Sequence, residues 1–280
     1  MRVGVIGGGT MGLGIAHAFA VTGSEVTLVE PDGERRTAAL TKIGSVLGGG
    51  VARGSITAET AAAARGHVGS VGTIEELDDG LDVVVEAVPE IPTLKGSVLA
   101  AAEARAPRLL ATNTSSIEIG RLAEGLDHPE RFIGLHFFNP VWSMALVEIV
   151  VGASTAAETI ERSRVVVAEL GKEAIVVQDR AGFASSRLGL VLGLEAIRML
   201  EEGVASAEDI DTALRVGYGH PMGPLRLTDL IGLDVRLDIA RNLATVYGDR
   251  FAPPRILAEK VAQGHLGAKS GQGFYEWPRS

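Results

Sequence analysis

A chain of 280 residues with 46% hydrophobic content can bury a large core, and its length predicts two modest domains rather than one. The absence of cysteine excludes disulfides, thiolate catalysis and cysteine-ligated metals, and a formal net charge of −9 argues against nucleic acid as the main partner. The apolar residues are dispersed, with no uncharged run of ~18 or more, so no membrane span is expected. The start MRVGVIGGGT lacks the basic stretch and apolar block of a secretion signal, which makes the cytoplasm the default location.

Arg2 to Ile6 is a short β-rich run that flows into GGGTMGLGIAHAFAVTG, where Gly7, Gly9 and Gly12 have the spacing G-x-G-x-x-G. Gly7 permits a tight strand-to-helix turn, Gly9 lets backbone approach a pyrophosphate, and Gly12 allows close helix–strand packing. The helix that opens at Thr10 and Met11 offers free N–H groups to phosphates. It is expected to run to Thr22 and stop at Gly23, with EVTLVE following as a second strand that ends in Glu30. Glu30 lies 18 residues after Gly12 (30 − 12), close to where such a unit places an acid for the adenosine ribose hydroxyls. Gly7, Gly9, Thr10, Met11, Gly12 and Glu30 are therefore candidate cofactor ligands, and the acid favours NAD. Arg35 and Arg36 lie near enough to keep NADP use open.

A helix from Gly33 to about Val46, a break at Gly48 to Gly50, and an alanine-rich helix from about Ala58 to Arg65 look like an excursion inserted into the nucleotide fold. Lys42 and Arg53, with Arg35, Arg36 and Arg65, are either a solvated face or contacts for a phosphate-bearing substrate. The sheet resumes with HVGSV, LDVVVEAV and RLLATNTSS, short β-branched runs suited to doubly buried parallel strands. Glu86 and Glu90 stand at the end of the second, where ligands gather in open α/β sheets. Pro92 opens a helix to about Ala104, with Lys95 one turn in. Asn113, Thr114, Ser115 and Ser116 again lie at a strand end, either as ligand contacts or as caps, Ser116 preceding a helix at Ile117.

Residues 134 to 150, GLHFFNPVWSMALVEIV, read as two apolar strands interrupted by His136 and Glu148. If they form an antiparallel hairpin centred near Trp142, residues whose numbers sum to about 284 face each other, and His136 and Glu148 satisfy that sum. Directly opposed residues bring their Cβ atoms to about 4.5 to 5.5 Å. An imidazole and a carboxylate would then meet, as a structural pair or as a general base with its orienting acid. Beside a dinucleotide fold the natural reaction is dehydrogenation of an alcohol.

The alternation of strands ends with EAIVVQD, giving a first domain at 1–179 and a helical second domain at 180–280. A long apolar helix from Phe183 to Glu202 must be sandwiched, by its own domain or by a second subunit. SAEDID caps the next helix. His220 in GYGHPMGP reads as structural, Pro253 and Pro254 begin another helix, and GQGFYEW is a docked tail. The fold class is α/β, a Rossmann-like doubly wound sheet with a helical insertion followed by an all-α domain.

GGGTMGLGIA, VEAVPE, NTSSI, GLHFFNPV with VEIV, GYGHPMGPLRLTDLIGLD and KSGQGFYEW together resemble the short-chain L-3-hydroxyacyl-CoA dehydrogenases, over nearly the whole chain. The resemblance implies His136 as acid/base, Glu148 as its partner, Ser115 donating to the reacting oxygen, and Asn139 holding cofactor or substrate. It further implies that Glu90 and Lys95 reach the ribose and nicotinamide end of NAD. The substrate would be an acyl-CoA and the assembly a homodimer through the helical domain. Related readings are a 3-hydroxyadipyl-CoA enzyme, with Arg187 a candidate cation for the distal carboxylate, and a non-catalytic NAD-binding protein. One departure stands out: DRAGFASSRL puts Ala181 at a usual proline and Ser186 at a usual catalytic asparagine. A serine can still donate one hydrogen bond.

Overall fold

The computed structural model describes residues 1 to 278 and divides into two compact units, Met1–Phe183 and Ala184–Ser280. The sequence reading places the division at 179/180, a few residues earlier. No helix of the described residues is long and apolar enough to cross a membrane.

In the first unit an eight-stranded sheet has the order β3-β2-β1-β4-β5-β6-β7-β8 among the described residues. Its strands are β1 (Arg2–Ile6), β2 (Glu25–Val29), β3 (Val68–Val71), β4 (Val83–Glu86), β5 (Leu110–Thr112), β6 (Phe132–Phe137), β7 (Leu146–Val151) and β8 (Glu173–Gln178). All neighbours run parallel except β6 and β7. The central strands β4, β5 and β6 are buried on both faces because helices cover both, whereas β3 and β8 at the edges are only partly buried. Val3, Val5, Val83, Val85 and Leu135 enter one core, while Ile6, Val84, Leu110 and Phe132 enter the other.

Helix α1 (Thr10–Val21) is buried along nearly its whole length between the sheet and the excursion formed by α2 (Gly33–Ala52) and α3 (Ala58–Gly66). Asp32 caps α2 by accepting from the Glu34 and Arg35 N–H groups. The expected break at Gly48 to Gly50 does not occur: α2 continues to Ala52. Ala39, Ile43, Leu47 and Gly50 form one buried stripe, and a Cβ on Gly50 would stand 3.1 Å from Ile56. Glycine costs a helix about 1 kcal/mol relative to alanine, and this packing outweighs it. Helices α4 (Pro92–Glu103), α5 (Ile119–Ala123) and α6 (Ala157–Glu169) complete the unit. Ser116 is not the cap of a helix at Ile117, since α5 begins at Ile119 with Glu118 at its N-cap. Thr114 instead organises that turn, its Oγ1 accepting from the Ile117 N–H at 3.0 Å.

The second unit comprises α7 (Ser185–Glu201), α8 (Ala207–Gly217), α9 (Pro224–Ile231), α10 (Leu233–Tyr247) and α11 (Arg255–Ala262). Ser206 caps α8 through the Asp209 N–H. The C-terminal tail docks on two buried aspartates. Asp229 accepts from the Phe274 N–H at 2.8 Å, the Tyr275 N–H at 2.9 Å and the Trp277 indole N–H at 2.8 Å. Asp211 accepts from the Leu225 and Arg226 N–H groups and the Tyr275 hydroxyl. Arg226 lies over the rings of Tyr275 and Trp277. A side chain at Gly273 would collide with the Asp229 carboxylate, which is why the tail needs a glycine there. Asp229→Ala leaves three donors without their acceptor, and it should lower stability by about 3 kcal/mol or more. Denaturant unfolding of the variant, with proteolysis of the tail as a second readout, checks this. An unchanged midpoint would sink the anchoring role.

Candidate active site

The turn after β1 is shaped as its glycines require. Gly7 has φ +111°, and a Cβ there would sit 2.7 Å from the Ala87 carbonyl oxygen. A Cβ on Gly12 would stand 1.9 Å from the Gly7 carbonyl oxygen, so only glycine lets α1 pack this close to the turn. Around Gly9 a Cβ would meet nothing within 4 Å, leaving open space over the backbone. The first helical hydrogen bond runs from the Leu13 N–H to the Gly9 carbonyl, so the amides of Thr10, Met11 and Gly12 have no intrahelical acceptor. Open space beside free amides at a helix N-terminus fits the pyrophosphate of NAD.

Glu30 is buried just past β2, with Oε2 accepting from the Gly8 N–H at 3.0 Å and Oε1 from the Asp32 N–H at 3.3 Å. Arg35 lies 3.6 Å from the same carboxylate, and Arg36 donates to the Glu30 backbone carbonyl. Both arginines are thus drawn toward Glu30. Gly8 was not singled out by the spacing rule, yet its Cβ would be 2.9 Å from Glu30 Oε2. The run of three glycines was the available signal.

The β6–β7 register is the expected one: Leu135 pairs with Ile149, His136 with Glu148, and Phe137 with Val147. His136 Nδ1 and Glu148 Oε2 are 2.7 Å apart, and Glu148 is wholly buried. The imidazole is flanked by the rings of Phe138 at 4.5 Å and Phe183 at 5.6 Å between centroids. Phe183, with φ 45° at the end of the first unit, escaped the sequence reading because its place beside His136 depends on a bend that no periodicity encodes. At the end of β5, Asn113 Oδ1 accepts from the Phe137 N–H at 2.9 Å, joining that strand end to the hairpin.

Glu90 gathers the turn after β5. Its Oε1 accepts from the Thr114 hydroxyl, the Ser115 and Ser116 N–H groups and the Ser116 hydroxyl, and Oε2 lies 3.2 Å from Lys95 Nζ. Burial would raise its pKa, but the Thr114 hydrogen bond, the Lys95 charge and the Ser115 N–H outweigh it and hold the carboxyl below its ordinary range. Lys95 is almost fully buried and also donates to Glu86 at 2.8 Å and to the Val88 carbonyl at 3.1 Å. Thr112 donates to the second Glu86 oxygen at 2.7 Å. In the structure Lys95 and Glu90 therefore brace the turn that presents Ser115, which is exposed. Asn139 is exposed in the β6–β7 loop.

Lys42 and Arg53 are exposed on α2 and just past it. Lys42 lines a shallow depression with Gly33, Thr37, Ala38 and Thr41, and the Arg53 guanidinium lies close to Gly49. The structure does not bring Arg53 into that depression. In the second unit Ser186 is in the first turn of α7, and the Arg187 guanidinium lies 4.1 Å from the Tyr247 ring centre.

Family models named 3-hydroxyacyl-CoA dehydrogenase match the chain twice, as NAD binding domain over residues 2–180 and as C-terminal domain over 182–277. The chain belongs to the 3-hydroxyacyl-CoA dehydrogenases. It is an NAD-dependent oxidoreductase with the Rossmann-like first domain of that family. A 3-hydroxybutyryl-CoA dehydrogenase of Bradyrhizobium diazoefficiens is 39% identical over 99% of the chain and 95% of its own length. A 3-hydroxyadipyl-CoA dehydrogenase of Escherichia coli is 43% identical over 98% of the chain, which spans only 58% of that relative. The solved (S)-3-hydroxybutyryl-CoA dehydrogenase from Ralstonia eutropha superposes with a TM-score of 0.93 at 36% identity, covering 99% of each chain.

Two glycine substitutions separate cofactor contact from packing in this dehydrogenase. Gly9→Val fills open space and should weaken NADH binding by about tenfold or more, near 1.4 kcal/mol, with little change in Tm. Gly12→Ala forces α1 off the turn and should lower Tm. Fluorescence titration with NADH beside thermal unfolding checks both, and tight NADH binding by Gly9→Val would count against phosphates at this turn.

Proposed function

We propose that the chain interconverts a short L-3-hydroxyacyl-CoA and its 3-oxoacyl-CoA, with 3-hydroxybutyryl-CoA and acetoacetyl-CoA as the preferred pair, in the cytoplasm. The observation that carries this reading is the His136–Glu148 pair at 2.7 Å in an otherwise apolar hairpin. NAD supplies the hydride acceptor in oxidation and the donor in reduction. Gly7, Gly9, Thr10, Met11, Gly12, Glu30 and Asn113 hold it, with Glu90 and Lys95 bracing the turn at its nicotinamide end. His136 donates its Nδ1 proton in a hydrogen bond to Glu148, which fixes the tautomer and leaves Nε2 to take the substrate hydroxyl proton. Glu148 then stabilises the imidazolium. The Ser115 hydroxyl donates to the reacting oxygen, Asn139 holds the substrate beside the histidine, and Ser186 supplies a donor at the position where the family resemblance implies an asparagine.

Absorbance at 340 nm with NADH and acetoacetyl-CoA tests the reading, with NADPH and free acetoacetate as controls. Turnover should need both NADH and the CoA moiety. His136→Ala and Glu148→Gln should each lower kcat by about 100-fold or more while NADH binding persists. Oxidation uses neutral His136 and reduction its protonated form, so the two directions should respond to pH in opposite senses. Unaltered turnover in both variants would remove the hairpin from the mechanism.

The 43% identity to the E. coli relative favours 3-hydroxyadipyl-CoA as a second substrate reading. Comparison of kcat/KM for acetoacetyl-CoA and 3-oxoadipyl-CoA decides between them, and the stacking of Arg187 on Tyr247 gives that arginine an occupation other than a distal carboxylate. Lys42 and Arg53 are proposed to meet the CoA phosphates. Their charge reversal should raise KM for acetoacetyl-CoA, and an unchanged KM would exclude them. A second copy of the chain is proposed to cover the apolar face of the helical unit, where Leu188, Leu192, Leu227, Leu230 and Ile231 are exposed on α7 and α9, two helices in contact. Sedimentation should show a dimer that Leu188→Glu dissociates.

A further inference from the structure

The β6–β7 loop carries Asn139 and joins His136 to Glu148, and it is held by a cation that has no role in the chemistry above. Lys172 follows Gly171 (φ 65°) at the entrance to β8. Its ammonium donates to the Val141 carbonyl at 2.6 Å and the Met144 carbonyl at 2.7 Å. Lys172 is half-buried, and that burial lowers its pKa. The hydrogen bonds of its ammonium are to these two loop carbonyls, and its charge also acts on His17.

The other side of the loop rests on the dinucleotide helix α1. Val141 is buried, and a Cβ on Gly14 would stand 2.7 Å from it, so glycine is what allows the loop to settle on α1. One turn further, the buried His17 ring meets the edge of Trp142 at 6.0 Å between centroids. Beyond Val141 the loop leads back through Asn139 to Phe138, whose ring packs on His136. The loop is therefore clasped between Lys172 and the helix whose N-terminus faces the cofactor turn.

We propose that Lys172 is a positioning residue: by binding the Val141 and Met144 carbonyls it fixes the loop on α1 and so sets Asn139 and Phe138 against His136. A displacement of about 1 Å at a reacting group can cost on the order of 100-fold in rate, while the cofactor turn itself is untouched. Lys172→Met should lower kcat at least tenfold with NADH Kd within about twofold of the parent, and Lys172→Arg, which keeps two donors, should recover most of the loss. Amide hydrogen exchange of residues 138–145 should accelerate in Lys172→Met, and in the milder Lys172→Gln, with β6 and β7 still protected. The inference rests on the proposed reaction for its kinetic arm only. If the parent does not turn over acetoacetyl-CoA, that reading fails and the exchange measurement decides the role of Lys172 alone. Unchanged kcat, or unchanged exchange in the loop, overturns the proposal. So does a joint fall of kcat, NADH affinity and Tm that Lys172→Arg does not relieve, because that pattern marks a residue of general stability. Where Lys172→Met does not fold, Lys172→Gln carries the same comparison.

Discussion

The arrangement depends on one reversal of direction. Parallel strands need a long crossover between them, whereas an antiparallel pair can be joined by a short loop. The antiparallel pairing of β6 and β7 is what lets residues 136 and 148 stand opposite one another in a buried sheet. Register is enforced by the chemistry of the pair. A one-residue slip would turn Glu148 into the core lined by Leu135 and Ile149, where an unpaired carboxylate costs several kcal/mol. The pair proposed for proton transfer thus also specifies how the hairpin aligns.

A second buried charge system does for the strand ends what the hairpin does for the imidazole. Glu86 ends β4, Thr112 ends β5, and Lys95 rises from the first turn of α4 to meet both Glu86 and Glu90. None of these charges is left unmatched: Glu86 receives Lys95, Thr112 and the Val88 N–H. Buried charges are tolerable only when so satisfied. The outcome is that the exposed Ser115 sits on a turn whose backbone is held by Glu90 rather than on a free loop. A fixed turn of this kind suits the donor role proposed for Ser115, since a pre-oriented donor needs little reorganisation when charge develops on a substrate oxygen.

Much of this was legible because local rules and global fold agree. The glycine spacing after β1, the acid 18 residues beyond Gly12, and the sum rule for the hairpin each follow from short-range geometry that a sequence expresses directly. What escaped depends on partners distant in sequence. Gly48 to Gly50 read as a break, yet the helix crosses them because Ile56 returns to pack on Gly50. Glu90 past the end of a strand and Lys95 one turn into a helix are legible locally, but their bonds to Thr114, Ser115 and Glu86 span 9 to 25 residues. Lys172 lies 31 residues from Val141, in a segment whose pattern says only that a strand is about to begin. Phe183 reaches His136 through a backbone conformation that phenylalanine seldom adopts.

Four charged residues whose partners lie far off in sequence share a device. Asp229 takes three donors from the tail, Asp211 binds α9 and Tyr275, Glu90 takes four from one turn, and Lys172 spans two carbonyls of another. In each, one charged side chain converges on backbone groups of an irregular segment, or of a helix's first turn, that have no ladder to satisfy them. Irregular segments carry ligand contacts because they are free of the sheet's repeat, and for the same reason their polar groups need other partners. A single charge with several acceptor or donor sites meets that need with fewer ordered side chains than separate neutral bonds would. Such anchors have no characteristic spacing, because the loop they serve can come from anywhere in the chain. In this dehydrogenase Asp211, Asp229, Glu90 and Lys172, which stand outside the proposed proton-transfer pair, therefore mark segments that must keep their shape.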